Sequence, residues 1–226
     1  MRNRDGIMKE IIIVGNNNFA DLMRYYWEKD AGRKVVAYTV EENYITEKIH
    51  KDLPVVPFES VENIYSPTSY VISLCIGYSK MNAVRERLYG ICLKKGYTIE
   101  NFKHSSAVIA DDAKIGAGNI FMAGAIVEPF CEIGNGNLFF AGATLSHNDV
   151  IGNFNFFGGN SVITGYVHVE NNCFFGANAT VKNELCVPSY VLLGAGAYLR
   201  KTPSEYDVIV PEKSKVLKEK KSIDLI

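Results

Sequence analysis

Four histidines are the side chains of this chain that exchange a proton near neutral pH: His50, His104, His147 and His168. His50 lies in a polar stretch and reads as solvated, while His104 stands at a junction ahead of the repeat described below. His168, between Val167 and Val169, comes one residue before an interior position and should point outward. His147 differs. In Leu145-Ser146-His147-Asn148-Asp149-Val150-Ile151-Gly152 it sits two positions past an interior apolar residue, near a coil edge where a neighbouring subunit can pack. An imidazole so placed can act as a general base, although its neighbours alone leave an incidental exposed histidine the plainer reading. Asp149 is the one charged residue in a column of mostly small side chains, where burial without a partner is costly. Either it orients His147 or it caps a coil corner. The five cysteines are an odd number with no CxxC spacing, so they read as buried free thiols, with no disulfide and no structural metal.

The element that must position His147 is a repeat. From Ile109 every sixth residue is apolar, through Ile115, Phe121 and onward to Leu193 and Leu199, with no insertion. Sixteen such hits at the chain's apolar fraction would arise by chance with a frequency of ~10⁻⁵. The column two residues earlier is mostly small or polar, and glycine often follows the apolar residue, as in Ile133-Gly134 and Ile151-Gly152. A period of six matches neither a helix nor an alternating strand. It matches a short strand plus a tight corner, three of which close a triangular coil. Ile115, Ile133, Ile151, Val169 and Val187 should then stack as one interior ladder.

Ahead of the repeat, Lys9 to Val14 reads as a strand ending at Gly15. Asn18 to Glu28 follows as a helix with Phe19, Leu22, Met23 and Tyr26 on one side. Lys34 to Thr39 and Tyr70 to Ile76 read as further strands, and Met81 to Leu93 as a second helix. This alternation predicts a small parallel, Rossmann-like sheet flanked by helices. Ligands of such sheets bind beyond the carboxyl ends of the strands, here near Gly15 to Asn18, Thr39 to Glu42 and Gly77 to Asn82. Gly15 is followed by three asparagines rather than a GxGxxG, which argues against a dinucleotide; the asparagines suit helix capping as well as ligand contact.

The expected organisation is an α/β domain over 1–104, a parallel β-helix over 105–200 and a tail over 201–226. A net charge of -1 disfavours a nucleic-acid partner. No apolar run is long enough to span a membrane and the start lacks a signal peptide's apolar core, so the expected location is cytoplasmic. The residues ahead of Met8 read as a frayed extension.

A short α/β domain, then Phe102-Lys103-His104-Ser105-Ser106-Ala107, then unbroken hexapeptides resembles the hexapeptide-repeat bacterial sugar acyltransferases, those related to sialic acid O-acetyltransferases and nucleotide-amino-sugar N-acetyltransferases. The resemblance implies that the parallel β-helix is left-handed, and a homotrimer in which the first domain holds a nucleotide-linked sugar and acetyl-CoA lies between subunits. It implies that His147 is the catalytic base, with Asn148 where related sequences often carry an acid and Asp149 one residue later. Gly165 and Ala195 occupy the backbone positions expected along the cofactor's arm, and Arg200, Lys201 or the tail residues Lys213 and Lys215 would suit its 3′-phosphate. Asn16, Asn17, Glu41, Tyr78, Lys80 and Asn82, with Arg85 close behind, make up the expected substrate-binding loops. The implied reaction is acetyl transfer to an amine of a nucleotide-linked deoxyamino sugar in surface glycan assembly. Sugar O-acetylation and a non-catalytic scaffold or sugar-nucleotide-binding protein are the alternatives.

Overall fold

A computed structural model describes residues 8–214 and Ile223; Lys215 and the segment ahead of Met8 lie outside the described residues. Strand β1 (Glu10–Val14) is buried on both faces, with Ile11, Ile12 and Ile13 fully covered. Helix α1 (Asn18–Lys29) starts where the Asn17 side chain accepts hydrogen bonds from the amides of Phe19 and Ala20, both at 3.0 Å. Its buried stripe is Ala20, Met23 and Trp27, so the expected stripe is turned: Leu22 is exposed, and Trp27 is anchored by its Nε1 donating to Ser73 Oγ at 2.8 Å.

Strand β2 (Val35–Val40) leads to a hairpin of β3 (Ile49–His50) and β4 (Leu53–Pro57), the short helix α2 (Val61–Ile64), β5 (Tyr70–Leu74) and helix α3 (Ala83–Lys94). The sheet order is β3-β4-β2-β1-β5, parallel except at β3. The hairpin was not among the expected strands; its β4 carries Pro54 and Pro57, which are tolerated toward a sheet edge. Helix α3 starts two residues later than expected, since Lys80, Met81 and Asn82 all adopt left-handed φ angles of 52°, 50° and 66°.

From Val108 to Leu199 the chain forms two-residue strands whose second residue is, in every case, the expected apolar position. They stack as three parallel sheets. The first face runs through Val108–Ile109 to Tyr198–Leu199, the second through Lys114–Ile115 to Cys186–Val187, and the third through Ile120–Phe121 to Leu192–Leu193. The ladder from Ile115 to Val187 forms as expected. Interior Phe121, Phe139, Phe157 and Phe175 stack nearly parallel with centroids 4.7, 4.6 and 5.0 Å apart. The coil exceeds the expected bounds by a strand at each end: Phe102–Lys103 and Val208–Ile209 both join the third face.

That third face is apolar outside as well as inside. Phe102, Ile120, Leu138 and Phe156 form one core with Ile11, Ile13, Met23 and Trp27 of the first domain, so the two parts share a buried interface. Four cysteines are buried and free as expected; Cys186 is instead exposed, pointing outward from the second face.

Candidate active site

His147 lies at the corner between the first and second faces, just after Thr144–Leu145 and before Val150–Ile151. The coil register puts Gly165 directly beneath it, one turn along. A Cβ on Gly165 would stand 3.0 Å from His147 Cε1 and 3.1 Å from Nε2, so any side chain there would crowd the ring and push it from this position. The imidazole is braced on its other sides. Nδ1 bonds to Asn148 Oδ1 at 3.1 Å, the Tyr166 ring meets it edge to face with centroids 5.2 Å apart, and the His147 amide donates to Glu128 Oε2 at 2.9 Å. With an amide oxygen accepting at Nδ1, that nitrogen carries the proton and Nε2 presents its lone pair.

Asp149 is spent on the coil rather than on the ring. Fully buried, it accepts from the Val167 amide at 2.9 Å through Oδ1, while Oδ2 has no partner. Burial pushes its carboxyl up to about 8, so the fold favours its neutral form. Of the two readings left open by the sequence, the corner cap is the one the geometry matches.

A cavity of about 610 Å³ opens at the carboxyl ends of β1, β2 and β5, where the topology places a ligand. Asn16, Asn17, Glu41 and Lys80 line it as expected. The Asn17 side chain is already committed to capping α1. Arg87, missed in the sequence, grips Glu41 through two hydrogen bonds of 2.8 and 2.7 Å and holds its carboxyl below the usual range.

Two expected ligand residues, the half-exposed Tyr78 and the buried Asn82, are not among those lining this cavity. Tyr78 packs its ring on Phe156 and Phe174, with centroids 4.9 and 5.1 Å away, because the third face offers it an aromatic surface. Asn82 is fully buried and donates to Cys173 O at 3.1 Å, tying the loop to the coil. Arg85 is likewise buried rather than in the loop's binding surface.

The remaining histidines separate clearly. His50 is not solvated: its ring is held between Glu47, at 2.6 Å from Nδ1, and Asp21, at 2.8 Å from Nε2. His104 is a junction residue, bonded to Ser106 Oγ at 2.8 Å, and His168 is exposed and outward.

Lys201 is exposed and comes two residues after Leu199, where an eighteen-residue spacing carried past the last first-face strand would set it at the His147 corner three coils further on. Ala195 is exposed at a different corner, between the third and first faces, so a single chain does not bring it to His147. Arg200 and Lys213 are exposed. Among the described residues, no group of three or more His, Cys, Asp or Glu side chains is arranged to hold a metal ion, and no helix is long and apolar enough to cross a membrane.

No protein-family model and no curated protein matches the chain in sequence. Solved structures do match. The acetyltransferase domain of PglB from Neisseria gonorrhoeae superposes with a TM-score of 0.81 at 19% identity, covering 93% of this chain and 100% of that one. PerB from Caulobacter crescentus, crystallised with CoA and GDP-perosamine, gives 0.81 at 21% identity over 90% and 95%. WeeI from Acinetobacter baumannii gives 0.62 at 18% identity over 84% and 96%. The chain therefore has the fold of these proteins along nearly its whole length, an α/β domain joined to a left-handed parallel β-helix.

Proposed function

We propose that this protein transfers acetyl from acetyl-CoA to an amino group of a nucleotide-linked deoxyamino sugar. The observation that carries the reading is the braced imidazole: Asn148 holds the His147 ring at Nδ1, the Tyr166 ring packs against it edge to face, and Gly165 lies beneath it beside Nε2. The separate cavity at the strand ends supports a second, larger ligand. PerB, which shares the fold, was crystallised with both CoA and a nucleotide-linked amino sugar.

In this mechanism His147 Nε2 takes a proton from the acceptor amine as its nitrogen attacks the thioester carbonyl. The C–N bond forms, the C–S bond of the tetrahedral intermediate breaks, and the proton passes to the departing thiolate. Asn148 keeps the ring in the tautomer this requires. Lys201, roughly 14 Å along the edge at ~4.8 Å per coil, suits a phosphate at the far end of the cofactor.

The working unit is a homotrimer. The outward positions of the first face, Val108, Ile126, Thr144, Val162, Thr180 and Tyr198, carry no charge, and Val108 and Tyr198 are more than half exposed in the single chain. Packing between copies would cover that face and bring the corners at its two edges, those of His147 and Ala195, into clefts between chains.

Thiol release from acetyl-CoA, measured against a panel of nucleotide-linked amino and hydroxyl sugars, tests the reading. At least one amino sugar should support turnover, and His147→Ala should cut kcat by ~10²-fold or more while acetyl-CoA affinity and the oligomer persist. Absence of acetyl-CoA binding, or near-normal kcat in His147→Ala, would sink it.

A further inference from the structure

Among the described residues Arg85 is the largest side chain with no exposed surface. Its guanidinium donates to five backbone carbonyls: Gly136 at 2.8 Å, Ile76 at 3.3 Å, Gly77 at 2.7 Å, Phe154 at 3.0 Å and Asn155 at 3.2 Å. Three of these belong to the β-helix corner between the second and third faces. The other two, Ile76 and Gly77, are wall residues of the cavity. Among the described residues no carboxylate pairs with it. Burial pushes its ionisation down to about 9, which leaves it charged at neutral pH.

A buried cation without a counter-charge is expensive, and carbonyl dipoles solvate it without cancelling it. The charge therefore reaches whatever lies on the far side of the wall. A trans peptide points its C=O and N–H in opposite directions. With the carbonyls of Ile76 and Gly77 turned into Arg85, the amides of Gly77 and Tyr78 face away from it. Of the charged side chains lining the cavity, Glu41 and Arg87 neutralise one another, which leaves Lys80. The balance around the cavity is thus positive, and half of it comes from a residue the ligand cannot touch.

We propose that Arg85 is a specificity-determining residue: from behind the Ile76–Gly77 wall its unpaired charge makes the cavity select a nucleoside diphosphate over the uncharged nucleoside. This rests on the nucleotide-linked substrate proposed above and adds the source of its discrimination. A buried charge acts through a low-dielectric wall and is screened little by salt, unlike Lys80 at the surface.

The test is calorimetric binding of uridine and UDP, and of guanosine and GDP, to the full chain, its Arg85→Met variant and its Lys80→Met variant. The native protein should prefer one diphosphate over its nucleoside. Arg85→Met should weaken that diphosphate by about tenfold or more while changing nucleoside affinity less than about twofold. Lys80→Met should keep a preference of at least about fivefold, because Arg85 remains. An unchanged diphosphate-to-nucleoside ratio in Arg85→Met overturns the inference, as does an equal loss of both ligands, which would mark a purely structural role. Should Arg85→Met fail to fold, Lys80→Met decides: a persistent preference supports the inference and its disappearance overturns it. Native protein that binds neither diphosphate would overturn the nucleotide-linked reading along with it, a result distinct from binding that ignores Arg85.

Discussion

At the scale of the residue, Asp149 and His147 are near neighbours in sequence that the coil sends to opposite environments. His147 lies past the strand on the outer edge, whereas Asp149 occupies an interior column between Cys131 and Val167. The buried carboxyl gives stability a direction with pH. In the unfolded chain it ionises near 3.8, and in the fold only near about 8. Its contribution is therefore complete below the lower value and is lost as pH rises toward the upper one. Asp149→Asn keeps an acceptor for the Val167 amide and cannot ionise. The variant should match the native protein in thermal melting near pH 4 and melt increasingly higher than it toward pH 8, with little change in kcat at pH 7. A melting difference that does not vary with pH would contradict the assignment. The sequence exposed Asp149 as an anomaly in its column, but not which neighbour used it, because capping depends on the amide one coil away. Glu128 and Tyr166 were missed for the same reason. They lie nineteen residues before and after His147 and meet it only through the eighteen-residue register.

At the scale of the element, the hexapeptide phase was legible because interior filling demands an apolar side chain at every strand. The outward side of the third face carried an equally regular signal in the doublets Ile120-Phe121, Leu138-Phe139, Phe156-Phe157 and Phe174-Phe175, where both residues are apolar. It escaped because attention to one column hides the next. Within the interior, Phe139 is stacked between Phe121 and Phe157 and fully buried. Phe139→Ala should lower stability by ~3–5 kcal/mol through lost burial and a residual cavity that the rigid coil cannot collapse. Denaturant melts check this; a loss under ~1 kcal/mol would mean the ladder relaxes.

At the scale of the molecule, the two parts are joined by apolar contact and by backbone. Phe102, Ile120, Leu138 and Phe156 are buried with first-domain side chains, and Asn82 and Arg85 reach coil carbonyls. The first domain thus serves as wall for the coil as well as holder of the cavity. Removing residues 1–100 should expose this face and yield aggregated protein rather than a free catalytic coil. A truncation that stays dispersed by light scattering and binds acetyl-CoA normally would show that the interface is dispensable. The sheet and its ligand-binding edge followed from the alternation of elements, yet of the expected contacts Tyr78, Lys80 and Asn82 in the loop Gly77–Asn82 only Lys80 lines the cavity. The loop's polar residues look alike in sequence, and three left-handed residues in succession turn some of them inward.

The unbroken register also limits how the site can change length. Inserting one residue between His147 and Lys201 would rotate every later interior side chain out of its column, whereas a whole coil of eighteen would preserve them all. Distance along this edge therefore comes in steps of ~4.8 Å. The coil works as a graduated ruler, on which any two side chains of one edge stand a whole number of turns apart.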